Sequence, residues 1–234
     1  MYGGIFLEEV RINQTNFAQG ICFKKLFFVF LIGSIIGAYY EQIYNLITTY
    51  LSTHEIVWSL RRGVIYGPFN VIYGFGAACM SYVLLKKDYK WYQIIARAGI
   101  LGGMIEYILN FLQEVFIHTT SWDYSGKFLN INGRTTLPFM LVWGLLGLLF
   151  VKVVYPFVSS LIEKIPVHIG NICFKILLVF MIINMFLSWT ALIRQALRKN
   201  HYPAYTFLGR FYDTYYTDEF LSKYFPNMAH LDKE

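Results

Sequence analysis

The chain has 234 residues, 56% of them hydrophobic and only 15% charged, with a formal net charge of +6. That balance excludes an ordinary soluble domain, in which about 25% of residues are charged. The basic excess falls in short clusters at the ends of apolar runs, at 24–25, 86–90 and 197–199. Such clusters flank membrane spans, so nucleic-acid binding is excluded as well.

In chain order, residues 1–23 hold Glu8, Glu9, Arg11 and Asn13 and no compact apolar core, so no cleavable signal peptide is expected. Asn13-Gln14-Thr15 fits the glycosylation triplet, a pattern common by chance. Five apolar blocks follow, at 27–47, 65–85, 91–117, 137–157 and 172–193. Each has the roughly 20 residues that an α-helix needs to cross about 30 Å of hydrocarbon. The predicted fold is therefore all-α, a polytopic membrane bundle of about five spans over residues 1–194. The tail, 195–234, is rich in aromatic residues but interrupted by charge, which predicts short helices on the membrane face or over a pocket. Cys22, Cys79 and Cys173 are isolated, with neither disulfide nor metal spacing. No nucleophile triad, HExxH motif or phosphate loop occurs, and no cofactor is expected.

One pattern occurs twice. Residues 37–45 (GAYYEQIYN) and 102–110 (GGMIEYILN) both read Gly-x-x-x-Glu-x-x-x-Asn. After each come a polar loop with arginine, a Pro-Phe pair at 68 or 138, and an aromatic-Gly pair, Tyr73-Gly74 or Trp143-Gly144. Ionisable residues inside spans are rare, so the same order of glutamate and asparagine argues for a duplicated two-helix hairpin, about 27–85 and 91–157. The fifth span stands outside the repeat.

At 1.5 Å per residue, Glu41 lies about 21 Å past Phe27, and Glu106 about 22 Å past Trp91. Both carboxylates therefore sit toward the far end of their spans, where the returning helices bring Tyr73 and Trp143. The far-side loops add Arg61, Arg62, Trp122, Asp123, Asn130, Asn132 and Arg134. Gly33 and Gly37, with Gly99, Gly102 and Gly103, predict close packing of the first span on the third, bringing the glutamates together. Two adjacent buried carboxylates cannot both ionise cheaply without a proton or a cation between them, and Arg62 and Arg134 are the expected cations. This set reads either as a Glu–Arg lattice that only fixes the helices or as a pocket. In a pocket the arginines would hold an anionic group while the glutamates shuttle a proton or a coupling ion. A divalent cation among Glu41, Glu106, Asn45, Asn110 and Asp123 is a weaker variant that no spacing demands, so no metal is assigned. His118 and Tyr124 are lesser candidates. Counting Lys24, Lys25, Lys86, Lys87, Lys90 and Lys164 on the near side points to a cytoplasmic N-terminus and an outward-facing pocket.

The stretches 61–77 (RRGVIYGPFNVIYGFGA), 122–134 (WDYSGKFLNINGR), 142–147 (VWGLLG) and 225–228 (FPNM) resemble the CmpB-type ABC-transporter permease family of bacterial membrane proteins. Val71 stands where the family motif has a second proline. The resemblance implies a multi-pass protein of the bacterial inner membrane, and with it transport. A separate ATP-binding subunit is a partner it would entail, besides the bilayer and a further copy of the chain. The expected site comprises Glu41, Arg62, Tyr73, Glu106, Trp122, Asp123, Asn132, Arg134 and Trp143, handling an anionic or amphiphilic substrate. The alternative is a membrane-embedded enzyme that modifies a lipid or another anionic amphiphile, with one glutamate as general acid or base.

Overall fold

The computed structural model describes residues 16–117, 119–226 and 228–230. Glu8, Glu9, Arg11, the triplet 13–15, His118 and Asn227 lie outside them. The elements are α1 (Phe23–Thr53), α2 (Val71–Leu84), α3 (Trp91–Ile117), β1 (Thr119–Thr120), β2 (Asn130–Ile131), β3 (Thr135–Thr136), α4 (Leu137–Leu149), a π-helical turn (Phe150–Val154), α5 (Tyr155–Glu163), α6 (Val167–Lys199), α7 (Phe207–Tyr215), α8 (Asp218–Tyr224) and β4 (Ala229–His230). This is the all-α membrane bundle that composition predicts. Among the described residues, four helices are long and apolar enough to cross a bilayer: Phe23–Thr53, Trp91–Phe116, Leu137–Glu163 and Val167–Lys199.

The expected second span differs. Its helix begins only at Val71 and has 14 residues, a length of about 21 Å. Gly67 stands at φ +81°, a left-handed conformation, and precedes Pro68, which disfavours helix in the residue before it. Asn70 then caps α2 by accepting from the Ile72 N–H at 3.3 Å. Two residues ahead of this cap, Val64 and Ile65, are nonetheless almost completely buried.

Buried non-helical backbone needs partners, and α6 supplies them. Ser188 Oγ accepts from the Ile65 N–H at 2.8 Å. Asn184 accepts from the Tyr66 N–H at 3.2 Å and donates to the Tyr66 carbonyl at 2.7 Å. The third long helix, α4 through α5, contains its π turn just ahead of Pro156, whose missing N–H leaves a carbonyl one turn back without its usual donor.

The glycines bring helices together within each hairpin rather than joining α1 to α3 as expected. A Cβ on Gly33 would lie 2.7 Å from the Ala77 Cβ, and one on Gly37 2.2 Å from Tyr73, both on α2. On α3, a Cβ on Gly99 would meet the Met140 carbonyl at 2.6 Å, and one on Gly102 would meet Trp143 at 2.2 Å, both on α4. At the opposite end of the bundle, fully buried Lys25 ties α1 to α5 through Glu163 at 2.5 Å and Ser159 at 2.6 Å.

The tail docks beside the non-helical stretch 63–66. Tyr212, Tyr216, Leu221 and Phe225 cluster with Ile65, Ala191 and Leu192. Arg194 grips Asp213 through two hydrogen bonds, at 2.8 and 2.7 Å, and Arg198 reaches Asp213 at 2.7 Å and Asp218 at 2.6 Å. Strand β4 pairs antiparallel with β1, Thr119 opposite His230. A second short ribbon, β2 with β3, folds the long third connection back on itself, Asn130 opposite Thr136.

Candidate functional site

Each hairpin presents one glutamate, and the residue at the start of its returning helix holds it. Asn70, fixed by its capping role, donates to Glu41 Oε2 at 2.6 Å. Thr135 donates to Glu106 Oε2 at 2.8 Å, and its neighbour Thr136 caps α4 by accepting from the Phe139 N–H at 3.1 Å. One turn before each glutamate a glycine lies against an aromatic ring, Gly37 under Tyr73 and Gly102 under Trp143. The two rings meet across the hairpins, with centroids 5.5 Å apart. Glu106, 8% exposed, lies beside Trp143 and within electrostatic reach of Glu41. Four predicted residues, Glu41, Tyr73, Glu106 and Trp143, thus come together. Tyr40 adds a ring 6.1 Å from that of Tyr73. Tyr124, stacked on Phe139 at 4.8 Å, stands over this centre from the loop. Burial raises its phenol above the ordinary value, and the charges of Glu106 and Glu41 raise it further.

The other predicted residues gather one step away. Trp122, Asp123, Asn132 and Arg134 line a polar cavity of about 200 Å³ with Asn110, Glu114, Thr120, Ser125 and Gly133. The loop is held by its own side chains. Trp122 Nε1 donates to the Arg134 carbonyl at 2.9 Å, and Asn132 donates to the Tyr107 hydroxyl at 2.9 Å. Asp123 accepts from the Ser125 hydroxyl at 2.6 Å and its N–H at 2.8 Å, which hold the carboxyl below its usual range. Gly133 is obligatory on two counts: φ is +67°, and a Cβ would lie 2.4 Å from Ser125 Oγ. Glu106, Asn110 and Glu114 recur every fourth residue along α3 and so share one face, running from the carboxylate centre to this cavity. Asn110 donates to Thr120 Oγ1 and to the Trp122 carbonyl, both at 2.8 Å.

The arginines depart from expectation. Arg134 pairs with Glu114, not Glu106, and its guanidinium lies over the Tyr107 ring at 5.2 Å. The hydrogen bond to Glu114 holds its pKa above the ordinary value. Arg62 turns to the tail, 5.5 Å from the Tyr224 ring centre. The charge that reaches Glu41 belongs to Arg61, which donates to Asn45 one turn further along α1. The oxygen donors considered for a divalent ion are correspondingly dispersed. Asn45 is taken by Arg61, Asn110 by Thr120 and Trp122, and Asp123 by Ser125.

Sequence reasoning missed Asn70 and Thr135 as carboxylate partners and Asn184 and Ser188 as backbone partners. An asparagine directly before an apolar helical run is a capping signal that could have found Asn70. Nothing local marks the other three.

A family model described as "Putative ABC-transporter type IV", the CmpB family, matches residues 28–189. Among curated proteins and solved structures there is no match.

Proposed function

The chain belongs to the CmpB family of ABC-transporter type IV proteins, and from that premise we propose that it is the membrane-spanning part of a transporter that handles an amphiphilic substrate. The observation that carries the reading is the meeting of Glu41 and Glu106. Each comes from a different hairpin, and each is seated by the same glycine–aromatic joint. The matching contacts support a duplicated hairpin, with the substrate and coupling centre on its pseudo-symmetric seam, an arrangement common in transporters. The cavity at Trp122, Asp123, Asn132 and Arg134 is its vestibule, and the tail covers the adjoining non-helical stretch. At the opposite face, a cavity of about 310 Å³ with Lys87, Asp88 and Lys152 in its wall offers a grip for a separate ATP-binding subunit.

The test is purification of the tagged chain from its native membrane in mild detergent. An ATP-binding subunit is expected to accompany it, and Glu41→Gln or Glu106→Gln is expected to change the ATPase rate about tenfold or more. Well-folded variants of both glutamates with unaltered ATPase activity and transport would remove the centre from the mechanism.

A further inference from the structure

The carboxylate centre is built for a positive ligand. Neither Glu41 nor Glu106 has an ion-pair partner among the described residues; the pairs formed there are Lys25–Glu163, Arg134–Glu114, Arg194–Asp213, Arg198–Asp213 and Arg198–Asp218. The hydrogen bonds the two carboxylates accept from Asn70 and Thr135 come from neutral groups. A carboxylate as buried as Glu106 is costly to leave charged without a cation.

The walls supply a second, independent indication. Tyr40, Tyr73 and Trp143 form a continuous run of rings, 6.1 and 5.5 Å between centroids. Aromatic faces attract cations, and they favour organic ammonium groups because rings cannot replace the water shell of a small inorganic ion. The run also opens sideways. Tyr40 is 45% exposed and Tyr44, stacked on it at 6.4 Å, is 56% exposed, on a helix whose outer face meets lipid. Arg61 is the cation among the described residues whose charge reaches Glu41, and it donates to Asn45, one turn further along α1, without forming an ion pair with Glu41.

We propose that the ring-walled carboxylate centre takes a lipophilic organic cation, which enters from the lipid side past Tyr40 and supplies the ion-pair partner that neither Glu41 nor Glu106 has among the described residues. This rests on the reading of the centre as the substrate site. It replaces the anionic substrate expected from the arginines, because neither lies against the two carboxylates: Arg134 pairs with Glu114, and Arg62 faces the Tyr224 ring.

The test uses two probes of one shape and opposite charge, tetraphenylphosphonium and tetraphenylborate, each titrated against the purified full-length protein in neutral detergent. Saturable binding of the cation is expected, weakened about tenfold or more by Glu41→Gln or Glu106→Gln. Tyr73→Leu should weaken it several-fold and Tyr73→Phe should retain it, since the ring supplies the cation attraction. Preferential binding of tetraphenylborate, lost in Trp143→Leu or Arg61→Ala, would overturn the cation assignment and leave the substrate site standing. Failure of either glutamine variant, with an unchanged melting temperature, to affect either probe would overturn both.

Discussion

Gly37 and Gly102 show how closely the helices pack behind the two rings of the candidate site. Each lies under an aromatic ring so closely that a Cβ would sit 2.2 Å from ring or Cβ carbon. The ring cannot swing aside, because Tyr73 and Trp143 also press on each other. Gly102→Ala is therefore expected to destabilise the protein by about 1–3 kcal/mol, as overpacking does, and to move Trp143 away from Glu106. Gly126→Ala, with nothing within 4 Å, is the matched control and should leave the melting temperature in detergent unchanged. At this scale much was legible in the sequence. Glu41, Glu106, Tyr73 and Trp143 follow from helical spacing, which fixes faces without knowledge of the rest of the fold. The choice between Arg61 and Arg62 was not legible. Adjacent loop residues point according to the path of the chain, and that path depends on a left-handed Gly67 and on a tail more than 150 residues away.

At the scale of elements, the decisive feature is the replacement of the first turns of the second span by a bent, non-helical strip that buries Val64 and Ile65. Asn184 satisfies both the N–H and the carbonyl of Tyr66, and Ser188 the N–H of Ile65. Asn184→Leu keeps the side-chain volume but strands the part-buried N–H and carbonyl of Tyr66, at about 1–3 kcal/mol in total. The expected result is a lower melting temperature, together with faster maleimide labelling of a cysteine placed at Val64; protection equal to the parent would mean that the strip holds without α6. Hydropathy reads residues 65–85 as one continuous span because it weighs side chains and is blind to backbone direction. The groups that make the break tolerable lie on a helix more than 110 residues later, which no local pattern can indicate.

For the whole molecule, the tail is held by a compact ionic clamp on the end of α6. The guanidinium of Arg194, assisted by Arg198, holds the Asp213 carboxyl down to about 2, against about 3.9 for a free aspartate. The folded value is depressed, so the clamp's contribution is complete above about pH 4 and is lost as the pH falls from about 4 toward 2. Fluorescence from a tryptophan placed at Tyr216 should report undocking across that acid window and remain constant from pH 5 to pH 8. Asp213→Asn should release the tail at neutral pH. It leaves Arg194 buried without its partner, a loss of about 3 kcal/mol or more. Composition foresaw short tail helices, but the clamp joins 194 to 213 and 198 to 218 across a turn whose course only the folded chain defines.

The borrowed backbone partners of Ile65 and Tyr66 also bear on how the protein is made. The ribosome completes the strip more than a hundred residues before it reaches Asn184 and Ser188. In that interval the strip's amides and carbonyls have no place in hydrocarbon, where unsatisfied peptide groups are excluded. The first hairpin must therefore wait, with its strip in the aqueous or headgroup layer or shielded by the insertion machinery, until α6 arrives. The N-terminal half of this membrane domain reaches its final depth last, although it is synthesised first.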